Sequence, residues 1–185
     1  MNSYPIEGNS TRNTEPNQTM QYGDPGLREL AVRLAKSLER DALVQKTTDE
    51  LRLLLNVDRV VLYYFYYEWK GQVTFESLSS KKFSIFGSTG ADDCFNDDYA
   101  ALYKAGRVRA IADIELESID PCHRDFLRSM QVRANLVVPV LTSKRLWGLL
   151  IAHHCQNTRP WLSSEIEALK KAAQTLSTVP AIQDS

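Results

Sequence analysis

The 185-residue sequence contains no CxxC pair, and its three cysteines, Cys94, Cys122 and Cys155, are an odd number. A disulfide scaffold and a cysteine-ligated zinc site are therefore not expected, and a reducing, cytoplasmic setting is. Charge of either sign is also lacking in excess. The 22 Lys and Arg nearly cancel the 23 Asp and Glu, for a net charge of −1, and the pI is near 6.3. That balance leaves no electrostatic footprint for nucleic acid or for an anionic membrane surface. No apolar run approaches the ~20 residues that span a bilayer. The opening MNSYPIEGNSTRN has neither a basic n-region nor an apolar h-region, so no signal peptide is expected. Aliphatic residues are almost missing from residues 1–24, which are rich in Asn, Thr, Gln, Gly and Pro. Such a stretch buries too little to order itself, so a disordered lead-in is expected there, followed by one domain over 25–180.

What is present begins at Leu27. Leu30, Leu34 and Leu38, then Leu43, Thr47, Leu51, Leu54 and Leu55, recur at helical spacing and predict one long helix or two consecutive ones. The second set reads as a layer packed behind a sheet, while the first leaves open a helical dimer interface. Arg59-Val60-Val61-Leu62 and the tyrosine-rich residues after it predict a strand. A turn at Trp69-Lys70-Gly71 leads to a second strand from Val73. Residues 81–93 read as a loop, 97–105 as a helix stopped by Gly106, and 108–114 as a third strand. Residues 134–141 and 146–153, joined by a polar turn, form an apolar hairpin suited to mid-sheet, with Pro139 at a bulge or an unpaired side. A capping box, Ser164 with Glu167, opens a last helix running to about Ser177. The expected class is α+β, an antiparallel sheet with helices on one face and a ligand pocket on the other.

Residues 118–155 organise the rest. Asp120 suits a helix N-cap and Pro121 the first helical position. Cys122 and His123 then fall in the first turn, on the face shared with Phe126, Leu127 and Met130, which predicts that they are buried. Helical N–H groups and the positive end of the dipole favour a thiolate there. A second imidazole pair, His153 and His154, closes the last strand. By period-two alternation His153 is expected on the side of Trp147 and Ile151.

The runs Asp120-Pro121-Cys122-His123, Leu127-Arg128-Ser129-Met130, Asn135-Leu136-Val137-Val138-Pro139 and Trp147-Gly148 through His153-His154 resemble the bilin-binding GAF domain of phytochromes and cyanobacteriochromes. Asp92-Asp93-Cys94-Phe95 resembles the Asp-x-Cys-Phe motif of the two-cysteine cyanobacteriochromes. The resemblance covers residues 40–178, and it departs at Tyr64, where the family commonly has Arg. It implies a photoreceptor that binds a linear tetrapyrrole, phycocyanobilin or phycoviolobilin, and is not an enzyme. Cys122 would form the ring A thioether and His123 would lie under the pyrrole nitrogens. Cys94 would add reversibly to the central methine and so produce a blue- or violet-absorbing state that interconverts with a green-to-orange one. Asp92 and Phe95 would contact the rings, and His153 the far end, with His154 the less favoured substitute. Arg107, Arg109 and Arg133 are candidates for the propionates. The output module would lie outside this chain, and the terminal helices are candidates for a homodimer. Cys155 matches no attachment position and reads as a buried structural thiol. Two other readings compete: a thiol-dependent GAF enzyme of the free methionine sulfoxide reductase type, and a GAF sensor for another small ligand such as a cyclic nucleotide.

Overall fold

The computed structural model describes residues 24–67, 70–90 and 97–185. The expected lead-in before Asp24 and the motif residues Asp92, Cys94 and Phe95 lie outside the described residues. A single helix, α1 (Pro25–Leu55), opens the described chain. Its N-cap, Asp24, accepts the Gly26 N–H at 2.9 Å, and Asn56 ends it in the left-handed conformation (φ 49°). Only its second half has a core. Val44, Thr48, Leu51 and Leu55 are buried one turn apart, whereas Leu27, Leu30, Leu34 and Leu38 are exposed. The expectation that Leu54 packs inward is corrected: it is 68% exposed, because the buried stripe runs through Leu51 and Leu55 and leaves its flank to solvent.

The strands are β1 (Arg59–Tyr67), β2 (Lys70–Leu78), β3 (Arg109–Ile111), β4 (Ala134–Leu141) and β5 (Leu146–His154). They form one sheet in the order β2-β1-β5-β4-β3, and every pairing is antiparallel. Three helices, α2 (Asp97–Lys104), α3 (Pro121–Ser129) and α4 (Ser163–Ser177), follow in the chain, with a short α5 (Pro180–Gln183) at the end. The α+β expectation holds, with the apolar hairpin at β4 and β5 inside the sheet. Pro139, which lacks an N–H, pairs with Leu149 on the β5 side. On its other side β3 reaches only as far as Val137.

Alternation sorts the sheet into two faces. Val60, Leu62, Leu136, Val138, Leu150 and Ala152 meet α1, α4 and α5 through Leu51, Leu55, Leu169, Ala173, Leu176 and Ile182. The opposite face, with Val61, Tyr63, Val137, Leu149 and Ile151, lines a pocket. One expectation fails here. Trp147 joins the helix-side core, while Leu146 packs with Phe65 and Leu149 on the pocket side. The cause is a register shift in the β4–β5 ladder, where Val140 pairs with Gly148 and Leu141 with Leu146. The extra residue reverses alternation, so Ile151 and His153 share a face but Trp147 does not. Beside it Gly148 is required by close approach, because a Cβ there would lie 2.7 Å from the Tyr63 carbonyl oxygen.

Two local expectations also change. The strand expected over 108–114 is only three residues long, because Asp113 accepts the Leu116 and Glu117 N–H groups in a turn and Ile114 bonds Arg133. The box expected at Ser164 and Glu167 is not the one used. Glu165 accepts the Leu162 N–H at 2.9 Å and pairs with Arg159, while Glu167 pairs with Lys170. Trp161 is pinned by its indole N–H to the Ile111 carbonyl at 3.0 Å, which sets where α4 starts.

The packing yields a direct comparison. Leu169→Ala should cost about 2–5 kcal/mol of unfolding free energy in urea titration, whereas Leu54→Ala should change it by less than about 0.5 kcal/mol.

Candidate functional site

The pocket lies between the sheet, α3 and residues 85–90, and it encloses roughly 90 Å³. Its walls are chiefly apolar. Val61, Val137, Leu149 and Ile151 form the floor, Phe126, Leu127 and Met130 come from α3, and Ile85 comes from the loop. Tyr103 of α2 closes one end, packed with Phe65, Val137, Leu146 and Leu149. Tyr63 links the wall to the loop: its hydroxyl donates to the Gly71 carbonyl and accepts the Gly90 N–H, each at 2.8 Å.

Helix α3 forms as its caps require. Asp120 accepts the Cys122 N–H at 2.8 Å, with Pro121 at the first position. The face is not the expected one. Leu127 is buried and His123 lines the pocket, but Cys122 is exposed. His123, four residues before Leu127, turns into the pocket, while Cys122 just before it is exposed. Burial, then the positive charge of Arg109, lowers the His123 pKa. Arg107 adds to that field, which places both cations near this imidazole. Arg109 also pairs with Glu117 at 3.1 Å, and Arg133 pairs with Asp113 at 3.3 Å.

The two terminal histidines separate. His153 lines the pocket and is 2% exposed, whereas His154 turns away, with Nδ1 3.2 Å from Asp58 Oδ2. Asp58 knots the chain at this end. Its carboxylate accepts the Cys155 N–H at 2.7 Å and the Gln156 amide at 2.8 Å. Burial pushes that carboxyl up, but these hydrogen bonds outweigh it and the pKa is lowered. Cys155 is buried, and burial pushes its thiol up to about 11, which keeps it protonated and unreactive. Tyr64, where the resemblance departs, faces the helices. It stacks edge-on with Trp147 at 5.3 Å and accepts a hydrogen bond from Arg145 at 3.0 Å, so it is not a pocket residue.

Two polar residues of the pocket face escaped the sequence reading. Arg59, 1% exposed, donates from Nε to His153 Nδ1 at 2.8 Å, from Nη1 to the Phe83 carbonyl at 2.6 Å and from Nη2 to the Met130 carbonyl at 2.8 Å. Among the described residues no carboxylate forms an ion pair with it. Asn135, 4% exposed, lines the pocket, and its Oδ1 is buried without a hydrogen-bond partner. The available signal was a charged or amide residue inside an otherwise apolar strand, Arg59-Val60-Val61-Leu62 and Ala134-Asn135-Leu136-Val137. Among the described residues no cluster of His, Cys, Asp and Glu suits a metal ion. No described helix is long and apolar enough to cross a membrane.

Comparison with known proteins bears on what such a pocket holds. The family model described as GAF domain matches residues 39–179. An uncharacterized protein of Picosynechococcus sp. PCC 7002 is 56% identical over 153 residues, 83% of this chain and 94% of that protein. A putative methyl-accepting chemotaxis protein of Synechocystis sp. PCC 6803 is 38% identical over 141 residues, 76% of this chain but only 14% of that protein. Among solved structures, the blue-light absorbing form of the Thermosynechococcus elongatus PixJ GAF-domain superposes with a TM-score of 0.74. It is 33% identical, and the match covers 82% of this chain and 89% of that one. The phycocyanobilin-bound GAF domain from a cyanobacterial phytochrome gives a TM-score of 0.71 at 30% identity, over 85% and 92% of the two chains.

The histidines predict a pH dependence. Burial, then Arg59, holds the His153 pKa well below its ordinary value, and His123 is lowered as well. In the unfolded chain both take up protons near pH 6.5, and the folded state resists doing so. Stability is therefore full above about pH 6.5 and falls as pH drops toward 5, by up to about 1.4 kcal/mol per pH unit for each histidine held neutral. Urea unfolding at pH 7.5, 6.5, 5.5 and 5.0 should trace this slope, and a flat profile contradicts it.

Proposed function

Because the chain belongs to the GAF domain family, we propose that it is a photosensory domain that holds a linear tetrapyrrole covalently and is not an enzyme. The observation that carries this reading is the pocket itself. It is an apolar slot walled by α3, with an imidazole inside it and an exposed cysteine one residue before that imidazole, in a chain 33% identical to a blue-light absorbing domain. The fit extends to polar detail. The conjugated rings suit the apolar floor, Arg107 and Arg109 beside His123 suit the propionates, and the unpartnered Asn135 oxygen suits a ring N–H.

When bound, the pigment supplies visible absorption and light-driven isomerisation of its C15–C16 double bond. The protein's residues hold it. Addition of Cys122, in its reduced thiol form, to the ring A side chain would form the S–C bond, with the thiol proton passing to the neighbouring carbon. His123, kept neutral, serves as a hydrogen-bonding partner beneath the pyrrole nitrogens, and His153 contacts the far end. The finer reading is the two-cysteine type. Cys94 adds to the central methine to give a blue- or violet-absorbing state, Asp92 bonds the pyrrole N–H groups, and Phe95 packs on a ring. The pigment is phycocyanobilin, or phycoviolobilin formed from it, and the second state absorbs in the green to orange.

The domain covers 25–180 and works in the cytoplasm. It passes its signal to an output module in a longer protein, a reading supported by the short share of the chemotaxis relative that it matches. The exposed leucines of α1 are the surface for a homodimer. The reading competes with a thiol enzyme, and an exposed Cys122 next to an imidazole that faces an apolar slot favours attachment.

The test is the protein co-expressed with a phycocyanobilin-producing pathway. It should be coloured and should convert reversibly between a blue or violet band and a longer-wavelength one. Cys122→Ala should lose zinc-induced pigment fluorescence on denaturing gels. Cys94→Ala should remain coloured and lose the blue or violet band; if that band persists, Cys94 is not the second linkage. A colourless wild type, with pigment supply verified, overturns the photosensor reading.

A further inference from the structure

A second cavity lies on the helix side of the sheet, where α1 departs from it. The buried stripe of α1 begins only at Val44, whereas β1 runs on to Tyr67, so the strand outreaches its cover and Tyr66 is left 54% exposed. The space between them is a groove of roughly 460 Å³. The rings of Tyr64, Tyr66, Phe75 and Trp147 line it from the strands, and Arg40 and Asp41 line it from α1. It shares no lining residue with the pocket that holds His123 and His153.

One polar atom of this groove is left over. The β1–β2 ladder pairs Leu62 with Phe75 and Tyr63 with Val73, so Thr74 is the extra residue of a bulge. Val73 lines the first pocket and Thr74 the groove. Thr74 Oγ1 is buried and has no hydrogen-bond partner among the described residues. A buried hydroxyl left unsatisfied is costly, and in a cavity wall it marks where a ligand's polar atom goes. The charges around it are already matched. Arg40 donates from Nε to Asp41 at 2.9 Å and from Nη2 to Ser37 at 3.0 Å. Arg145 lies over the Tyr64 ring, 5.5 Å from its centroid, and donates to the Tyr64 hydroxyl and to the Phe65 and Ser185 carbonyls. A cation already on Tyr64 disfavours an ammonium ligand, and guanidiniums already bonded offer little to an anion.

We propose that this groove is a second binding site, for a neutral, flat bicyclic aromatic molecule with one ring N–H, the chemistry of an indole. The ring lies against the aromatic wall, and its N–H donates to Thr74 Oγ1. Aromatic side chains favour a flat ring through offset and edge-on contacts, as Tyr64 and Trp147 already show with each other at 5.3 Å. A single buried polar atom calls for a single partner, and a ligand with more polar groups would leave them unsatisfied. The inference does not rest on the bilin reading, because the two cavities share no residue.

Two measurements decide it, both on the pigment-free protein. With millimolar indole, NMR should show nuclear Overhauser contacts from the ligand to the Thr74 methyl and the Tyr66 ring. Contacts confined to Ile151 and Val137 on the opposite face, or no contacts at all, overturn the inference. Calorimetric titration should then compare indole with benzofuran, the isostere that carries a ring oxygen in place of the N–H. The preference for indole over benzofuran should fall by about fivefold in Thr74→Val, the equivalent of one hydrogen bond. An unchanged preference overturns the inference. The urea midpoint of Thr74→Val should be no lower than that of wild type, because the hydroxyl it removes has no partner in the free protein. A lower midpoint with an unchanged preference would make Thr74 a structural residue and end the proposal. Failure to take up pigment would remove the photosensor reading and leave these outcomes as they are.

Discussion

A buried guanidinium with no ion-paired carboxylate among the described residues is the constraint around which the pocket is built. Arg59 is satisfied by three neutral acceptors drawn from three parts of the chain: a strand-end imidazole, the carbonyl of Phe83 before the loop, and the carbonyl of Met130 at the end of α3. Each acceptor lies on a different border of the pocket. The cost of desolvating the charge is offset only while all three stay in place, so the loop, the helix and the central strand are tied to one another through a single side chain. An apolar residue at this position would spare the desolvation and lose the tie.

The electrostatics of the pocket follow from the same choice. Both inward-facing imidazoles, His123 and His153, sit near arginines that disfavour their protonation, in addition to burial. The imidazoles are held neutral beside the buried Arg59 charge, and Arg107 and Arg109 add positive charge near His123. An interior of fixed dipoles within an apolar wall gives a conjugated ligand a nearly constant local field, which suits a pigment whose colour depends on its surroundings.

How much of this was legible in the sequence depended on how local the cause was. The caps at Asp120 and Pro121, the strand starting at Arg59 and the mid-sheet hairpin arise from short-range preferences, and they stand where the pattern put them. Trp147 was misplaced because one unpaired residue near the hairpin end inverts a period-two rule, and nothing in Leu146-Trp147-Gly148 announces it. Cys122 was expected buried because helical spacing gives the face but not where the supporting sheet stops. Ser164 and Glu167 lost to Glu165 because Trp161 is anchored to a strand fifty positions away. Arg59 and Asn135 went unread for a related reason. Their roles exist only across strands, between residues 94 positions apart in one case.

The long first helix carries a mechanical consequence. Its buried stripe runs from Val44 to Leu55, and its N-terminal half continues with no core of its own. The nineteen helical rises from Val44 back to Pro25 extend about 28 Å at about 1.5 Å each, so tilting the packed end by about 5° swings the free end by about 2.5 Å. The helix is thus a lever whose short arm rests on the back of the sheet that forms the pocket floor, so that displacements too small to disturb the core emerge enlarged at Leu27 and Leu30.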